Sequence, residues 1–125
     1  MDNWHILVVE DDRDSRRLLT QVLRHADMTV DAVETAEEAM TLLKQTQYTA
    51  LISDYALPGM SGIQLIQLVR ADRTLATLPA MMLSAFYASN ARHEALAAGF
   101  DVFMNKPFDM KTLIQEIRDL LAAPA

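Results

Sequence analysis

Short apolar runs recur along the chain, and polar residues and a segment of helical periodicity follow each one. The runs lie at 6–9, 30–33, 51–53, 80–83 and 102–105. Most are continuous stretches of aliphatic residues, which is typical of strands that are buried on both faces of a parallel sheet. The pattern therefore predicts five strands, of which the second, with Asp31 in its middle, is the weakest.

Between these runs, apolar residues recur at the spacing of one helical face. Residues suited to begin or end helices bound the segments. The predicted helix starts are Asp12 or Asp14, the capping box 35–38, the turn at Gly62, and Asp109. A further helix is predicted over 90–98, with Gly99 after its end. Five strands alternating with five helices predict an α/β fold with a doubly wound parallel sheet. Both common doubly wound strand orders are compatible with this pattern, and the count of five strands favours the flavodoxin-like order 2-1-3-4-5.

Composition narrows the class of protein. A chain of 125 residues with 51% hydrophobic residues is expected to form one globular domain, 1–125. Without cysteine it has no disulfide framework and no thiolate chemistry. The sequence has neither a membrane-spanning run nor the pattern of a secretory signal, so we expect a cytoplasmic protein that does not contact membranes.

The charge of the chain argues against nucleic acid as a partner. The formal net charge is −6, and the only basic cluster is a set of arginines in the first helix. That cluster comprises Arg13, Arg16, Arg17 and Arg24, which we expect to form the solvated side of the helix. Direct binding of nucleic acid, which needs a basic face, is not expected.

Polar side chains follow four of the five predicted strands. They are Glu10 and Asp11, Asp54, Ser84 and Lys106. In the order 2-1-3-4-5 these four strands are neighbours spaced about 4.8 Å apart, and their carboxyl ends share one edge. An isolated Asp54 would more often be a cap than a metal ligand or a nucleophile. The polar residues that follow the neighbouring strands make a functional role of Asp54 the better interpretation.

Three carboxylates at one edge repel each other by roughly 4 kcal/mol per pair at 4 Å and a dielectric near 20. One ammonium cannot neutralise all three, so the cluster predicts a divalent cation, and acids that leave room for water suit Mg²⁺. Ser84 and Lys106 add donors of the kind that bind a phosphoryl group. Asp54 is then a candidate nucleophile that forms an aspartyl phosphate. The alternative is a structural group of capping acids beside a surface lysine.

These residues resemble the receiver domain of two-component response regulators. The matching segments are 8–11, Asp54 with 58–62, 84–85 and 106–108, which span nearly the whole chain in the family's order. The resemblance implies a signalling domain that catalyses only its own phosphorylation and slow dephosphorylation. A histidine kinase or a histidine phosphotransfer protein would supply the phosphoryl group, and a downstream effector would bind the face of helix 4, strand 5 and helix 5.

The resemblance also implies a role for each site residue. Asp54 would be the phosphorylation site, and Asp11, Glu10, Asp54 and the backbone carbonyl of Ala56 would hold Mg²⁺. Ser84 and Lys106 would bind the phosphoryl oxygens, and the bond between Lys106 and Pro107 would be cis. Phe103 stands where the family places a switch aromatic, usually Tyr, and it is equally compatible with a plain core role.

Alternative functions make different demands on the same residues. A haloacid-dehalogenase-type phosphatase would need a second Asp at position 56, where this chain has Ala56. A flavodoxin-like FMN carrier would need a phosphate-binding loop where this chain has acids 10–12. A receiver that serves only for docking would not need the complete set. Because Ala56 and Phe86 cannot position an attacking water, we expect a long-lived phosphoryl group.

Overall fold

The computed structural model describes residues 3–85 and 90–122. Within those ranges the chain alternates five strands with five helices. The strands are β1 (His5–Val9), β2 (Thr29–Val33), β3 (Ala50–Asp54), β4 (Ala80–Ser84) and β5 (Val102–Asn105). The helices are α1 (Arg13–His25), α2 (Ala36–Gln45), α3 (Gly62–Ala71), α4 (Ala91–Ala98) and α5 (Met110–Ala122).

All strands are parallel and lie in the order β2-β1-β3-β4-β5, which confirms the predicted topology. The register sets the carboxyl edge of the sheet. Asp54 lies opposite Leu83, and Ser84 lies opposite Asn105, directly before Lys106. The crossovers therefore bring the polar residues that follow β1, β3, β4 and β5 to neighbouring positions.

The alternation of side chains along the strands divides the core into two layers. Leu7, Leu51 and Met82 face α2, α3 and α4 in one layer. Ile6 and Ile52 face α1 and α5 in the other layer. No helix in residues 3–85 and 90–122 combines the length and the apolar character that crossing a bilayer requires.

Side-chain caps fix where several helices begin. Asp12 accepts from the Ser15 N–H at 2.9 Å at the start of α1, and Thr35 accepts from the Glu38 N–H at 3.1 Å at the start of α2. Both confirm the predicted positions. A reciprocal box at α3 was not predicted: Gln64 N–H donates to the Ser61 hydroxyl, and Ser61 N–H donates to the Gln64 side chain.

Arg70 fastens the end of α3 to the far edge of the sheet. Its guanidinium donates to the carbonyl of Leu78 at 2.7 Å and to the carbonyl of Gly99 at 2.9 Å. It also pairs with Asp101 at 3.2 Å. The neighbouring helix α4 buries only Ala91 and Ala95, as its alanine-rich sequence predicts.

Candidate functional site: an acidic pocket at the carboxyl edge

Three carboxylates meet where β1 and β3 end. Glu10, Asp11 and Asp54 each offer an oxygen, and these oxygens all lie within 4.8 Å of one another. Glu10 is buried, with 2% of its surface exposed, whereas Asp11 is exposed. The Glu10 N–H donates to the carbonyl of Val33 at 3.0 Å, which fixes the strand end that presents the side chain. The predicted convergence of the acids is confirmed.

Lys106 reaches into this cluster from the segment after β5. Its Nζ lies 2.5 Å from Glu10 Oε1 and 3.4 Å from Asp54 Oδ1. Its backbone N–H donates to the carbonyl of Ser84 at 2.8 Å, so the pairing of β4 with β5 fixes the position of the lysine backbone. The bond to Pro107 is cis, as the resemblance implied.

Burial and charge act in opposite directions on these groups. Burial raises the pKa of Glu10 and the pKa of Asp54, and the hydrogen bond and charge of Lys106 offset only part of that rise. For Lys106, burial works to lower the pKa, but Glu10 and Asp54 together outweigh it and raise the pKa. The pocket thus disfavours its own negative charge, which is the electrostatic condition for binding a cation.

The remaining predicted site residues differ in their position and surroundings. Ser84 is fully buried at the last position of β4. Phe103 lies on β5, is 5% exposed and packs in the layer under α4. Ala56 is exposed in the segment between β3 and α3. Phe86, which was expected to flank the pocket, lies outside the described residues.

The contacts of two residues near Asp54, Tyr55 and Gly62, were not predicted. Tyr55 donates its N–H to Asp54 Oδ1 at 3.0 Å and its hydroxyl to Glu94 Oε1 on α4 at 3.2 Å. Gly62, interpreted only as a turn residue, packs against the end of β3, because a Cβ built there would overlap the carbonyl oxygen of Asp54. The glycine-rich turn is the sequence feature that could have indicated the Gly62 contact. Nothing in the local sequence indicates the contacts of Tyr55.

Arg16 was predicted to be solvated, and this prediction is wrong. Its side chain is 19% exposed, and its Nη1 donates to the carbonyl of Glu10 at 3.1 Å and to the carbonyl of Asp11 at 3.3 Å. Helical periodicity places Arg16 on the polar side of α1 but does not say how far a long side chain reaches back over the helix end. The neighbouring Arg13 and Arg17 are exposed, as predicted.

The donor set of the pocket fits a hard divalent cation. Its acids supply only oxygen ligands, and Mg²⁺ binds through a few carboxylates while keeping several waters. A single lysine cannot balance three carboxylates when they are all ionised. The same lysine, beside the buried hydroxyl-bearing end of β4, provides donors for an anion that would arrive with the cation.

Comparisons with known proteins agree with this architecture. The sequence profile described as "Response regulator receiver domain" matches residues 6–118. The chain is 32% identical over 118 residues to the chemotaxis protein CheY-3 of Vibrio cholerae, covering 92% of this chain and 89% of that one. A crystal structure described as that of a response regulator from Chloroflexus aurantiacus superposes with a TM-score of 0.93 at 32% identity, covering 98% of this chain and all of that one.

A third comparison concerns the fold alone, because its identity is 24%. The receiver domain of the sensor histidine kinase PA1611 of Pseudomonas aeruginosa superposes with a TM-score of 0.90, covering 98% of this chain and 100% of that one. That structure is described as having a magnesium ion coordinated in its active site cleft.

The fold and the pocket define a doubly wound α/β protein with a cluster of acids and one lysine at its carboxyl edge. The match over residues 6–118 makes the family plain: the chain belongs to the response regulator receiver domains of two-component signalling.

Proposed function

We propose that Asp54 accepts a phosphoryl group from a phosphohistidine on a histidine kinase or a histidine phosphotransfer protein. The observation that carries the proposal is the contact of Lys106 Nζ with both Glu10 and Asp54 inside a cluster of three carboxylates. A phosphoryl group needs a carboxylate that can attack and cationic donors that can balance its oxygens. This pocket supplies the carboxylate and one such donor from its own residues.

In the transfer, a carboxylate oxygen of Asp54 attacks the phosphorus, and the new oxygen–phosphorus bond replaces the nitrogen–phosphorus bond of the donor. The donor imidazole leaves with the bonding electron pair and takes up a proton. The Tyr55 N–H, 3.0 Å from Asp54 Oδ1, orients the carboxylate before the attack. Lys106 and Ser84 bind the phosphoryl oxygens afterwards.

Glu10, Asp11, Asp54 and the backbone carbonyl of Ala56 are the proposed ligands of Mg²⁺. The ion supplies positive charge that offsets both the acids and the incoming phosphoryl oxygens. The oxygen-only donors within 4.8 Å of one another and the raised pKa values of Glu10 and Asp54 support this assignment. The magnesium described for the PA1611 domain supports it by analogy.

The response is proposed to pass through the face formed by α4, β5 and α5 to a downstream effector protein. Phosphorylation adds about −1.5 to −2 charges beside Ser84, at the end of β4. Movement of Ser84 towards the new oxygens would change the packing of Phe103, which lies in the layer beneath α4. We place this signalling in the cytoplasm, where a kinase could reach the domain.

The experiment is incubation with acetyl phosphate and Mg²⁺, followed by intact-mass measurement. The wild-type protein should gain one phosphoryl group, and Asp54→Asn should gain none, because the amide is nearly isosteric but not nucleophilic. Asp14→Asn, which changes an exposed acid of α1, is the matched control and should be labelled normally. Equal labelling of the wild type and Asp54→Asn would refute Asp54 as the acceptor.

The phosphorylated protein is expected to lose its phosphoryl group slowly. Ala56 carries no group that could orient water near Asp54, and a polar side chain at this exposed position would supply one. Ala56→Asn should therefore shorten the half-life measured after removal of free phosphodonor. Phosphorylated wild type that decays as quickly as Ala56→Asn would contradict this explanation.

A further inference from the structure

The guanidinium of Arg16 binds the backbone of the segment that carries two of the pocket acids. One nitrogen, Nη1, donates to the successive carbonyls of Glu10 and Asp11, at 3.1 and 3.3 Å. The other, Nη2, lies 3.3 Å from Glu34 Oε1 in the segment between β2 and α2. A side chain 19% exposed thus connects two loops at the carboxyl edge of the sheet.

These contacts restrain the direction in which the acids point. Two successive carbonyls bonded to one nitrogen fix the orientation of the peptide planes on either side of Asp11. The same segment is held at its start by the Glu10 N–H bond to Val33 and at its end by the Asp12 cap of α1. Arg16 supplies the restraint between those two points, where the metal-binding side chains emerge.

A purely electrostatic role of Arg16 and a positioning role would change the affinity for a bound cation in opposite directions. The guanidinium of Arg16 contacts two backbone carbonyls and the carboxylate of Glu34, which is 62% exposed. A positive charge near the pocket weakens binding of Mg²⁺, so its removal alone would strengthen binding. Loss of a positional restraint would weaken binding, and the sign of the change separates the two roles.

We propose that Arg16 is a positioning residue for the divalent-cation site, acting through the backbone of Glu10 and Asp11. The inference rests on the proposed function, since it assumes that the site binds Mg²⁺. Residues that orient metal ligands commonly change metal affinity by about 10- to 100-fold when they are replaced. Arg16 acts through the backbone and not on the ligand atoms, so we expect about 10-fold, the lower end of that range.

The test measures the Mg²⁺ dissociation constant by calorimetry on Arg16→Ala, Arg16→Lys and the matched control Arg17→Ala. Arg17 is exposed on the same helix and carries the same charge. Arg16→Ala should raise the constant about 10-fold, Arg16→Lys should fall between it and the wild type because it keeps a donor, and Arg17→Ala should leave it unchanged. Circular dichroism establishes that each variant is folded before titration.

A second measurement needs no metal. The Asp12 N–H donates to Glu10 Oε2 at 3.1 Å, so its hydrogen exchange reports whether the glutamate stays in place. Exchange in the metal-free protein should be faster in Arg16→Ala than in Arg17→Ala. If Arg16→Ala does not fold, Glu34→Asp decides, because it keeps the negative charge but shortens the side chain that anchors Arg16, and it should raise the Mg²⁺ constant by a smaller factor.

Folded Arg16→Ala that binds Mg²⁺ as tightly as the wild type, or more tightly, would overturn the positioning role and leave the proposed function intact. An unchanged constant in Glu34→Asp would do the same if that variant has to decide. Wild-type protein that does not bind Mg²⁺ would overturn the proposed metal site, and with it this role for Arg16.

Discussion

Replacing Asp54 with Asn should stabilise the metal-free protein. Oxygens of Asp54, Glu10 and Asp11 lie within 4.8 Å of one another, so at a dielectric near 20 the repulsion of Asp54 by each of the other two costs roughly 3.5 kcal/mol or more. The attraction of Lys106 at 3.4 Å offsets about 5 kcal/mol of this. Asp11 is exposed and its share is reduced by solvent, so we expect a net gain on the order of 1–2 kcal/mol.

The assay is urea denaturation at pH 7 in the presence of EDTA, with Asp14→Asn as the control. That control removes an equal charge from the exposed first turn of α1 and should stay within about 0.5 kcal/mol of the wild type. Added Mg²⁺ should reverse the order, because it stabilises the wild type by binding the folded state and binds Asp54→Asn less tightly.

The dependence on pH follows from the direction of the pKa shift. Burial raises the pKa of Asp54 in the folded state, so ionisation costs stability above that pKa and costs nothing below the unfolded value. The advantage of Asp54→Asn should be largest at neutral pH. It should disappear as the pH falls through the raised pKa towards that of an ordinary aspartate. Equal or lower stability of Asp54→Asn in EDTA at pH 7 would refute the electrostatic reasoning.

Two further substitutions probe the surroundings of Asp54. Gly62→Ala should lower the free energy of unfolding by about 1–3 kcal/mol, because the added methyl overlaps a backbone oxygen of Asp54 that cannot swing aside; urea denaturation measures it, and unchanged stability would contradict the close packing. Tyr55→Phe removes the hydroxyl bonded to Glu94 and should speed hydrogen exchange in α4 while the core strands stay unchanged, whereas unaltered exchange would show that this bond does not hold the helix.

The sequence predicted the sheet and the pocket well because both depend on local signals. Continuous apolar runs mark buried strands, and in parallel topology the residues that end them must gather at one edge. Glu10, Asp54 and Lys106 could therefore be brought together before any coordinates were known. Their contacts in the structure confirm that grouping, while their chemical roles stay predictions.

The parts that sequence reasoning missed involve long side chains or distant partners. Arg16 sits on the polar side of its helix, and only the folded backbone shows that it turns back to the carbonyls of Glu10 and Asp11. The bond from Tyr55 to Glu94 joins residues 39 positions apart, and neither residue carries a local mark of it. Periodicity predicts which side of an element is apolar, but it does not predict which partners the flexible polar side chains will contact.

Lys106 gives the pocket a resident counterion. Its ammonium contacts both Glu10 and Asp54, so the buried glutamate has a cationic partner that the chain itself supplies. We therefore expect that folding of the chain does not require magnesium. Ion binding would then be a reversible step that follows folding.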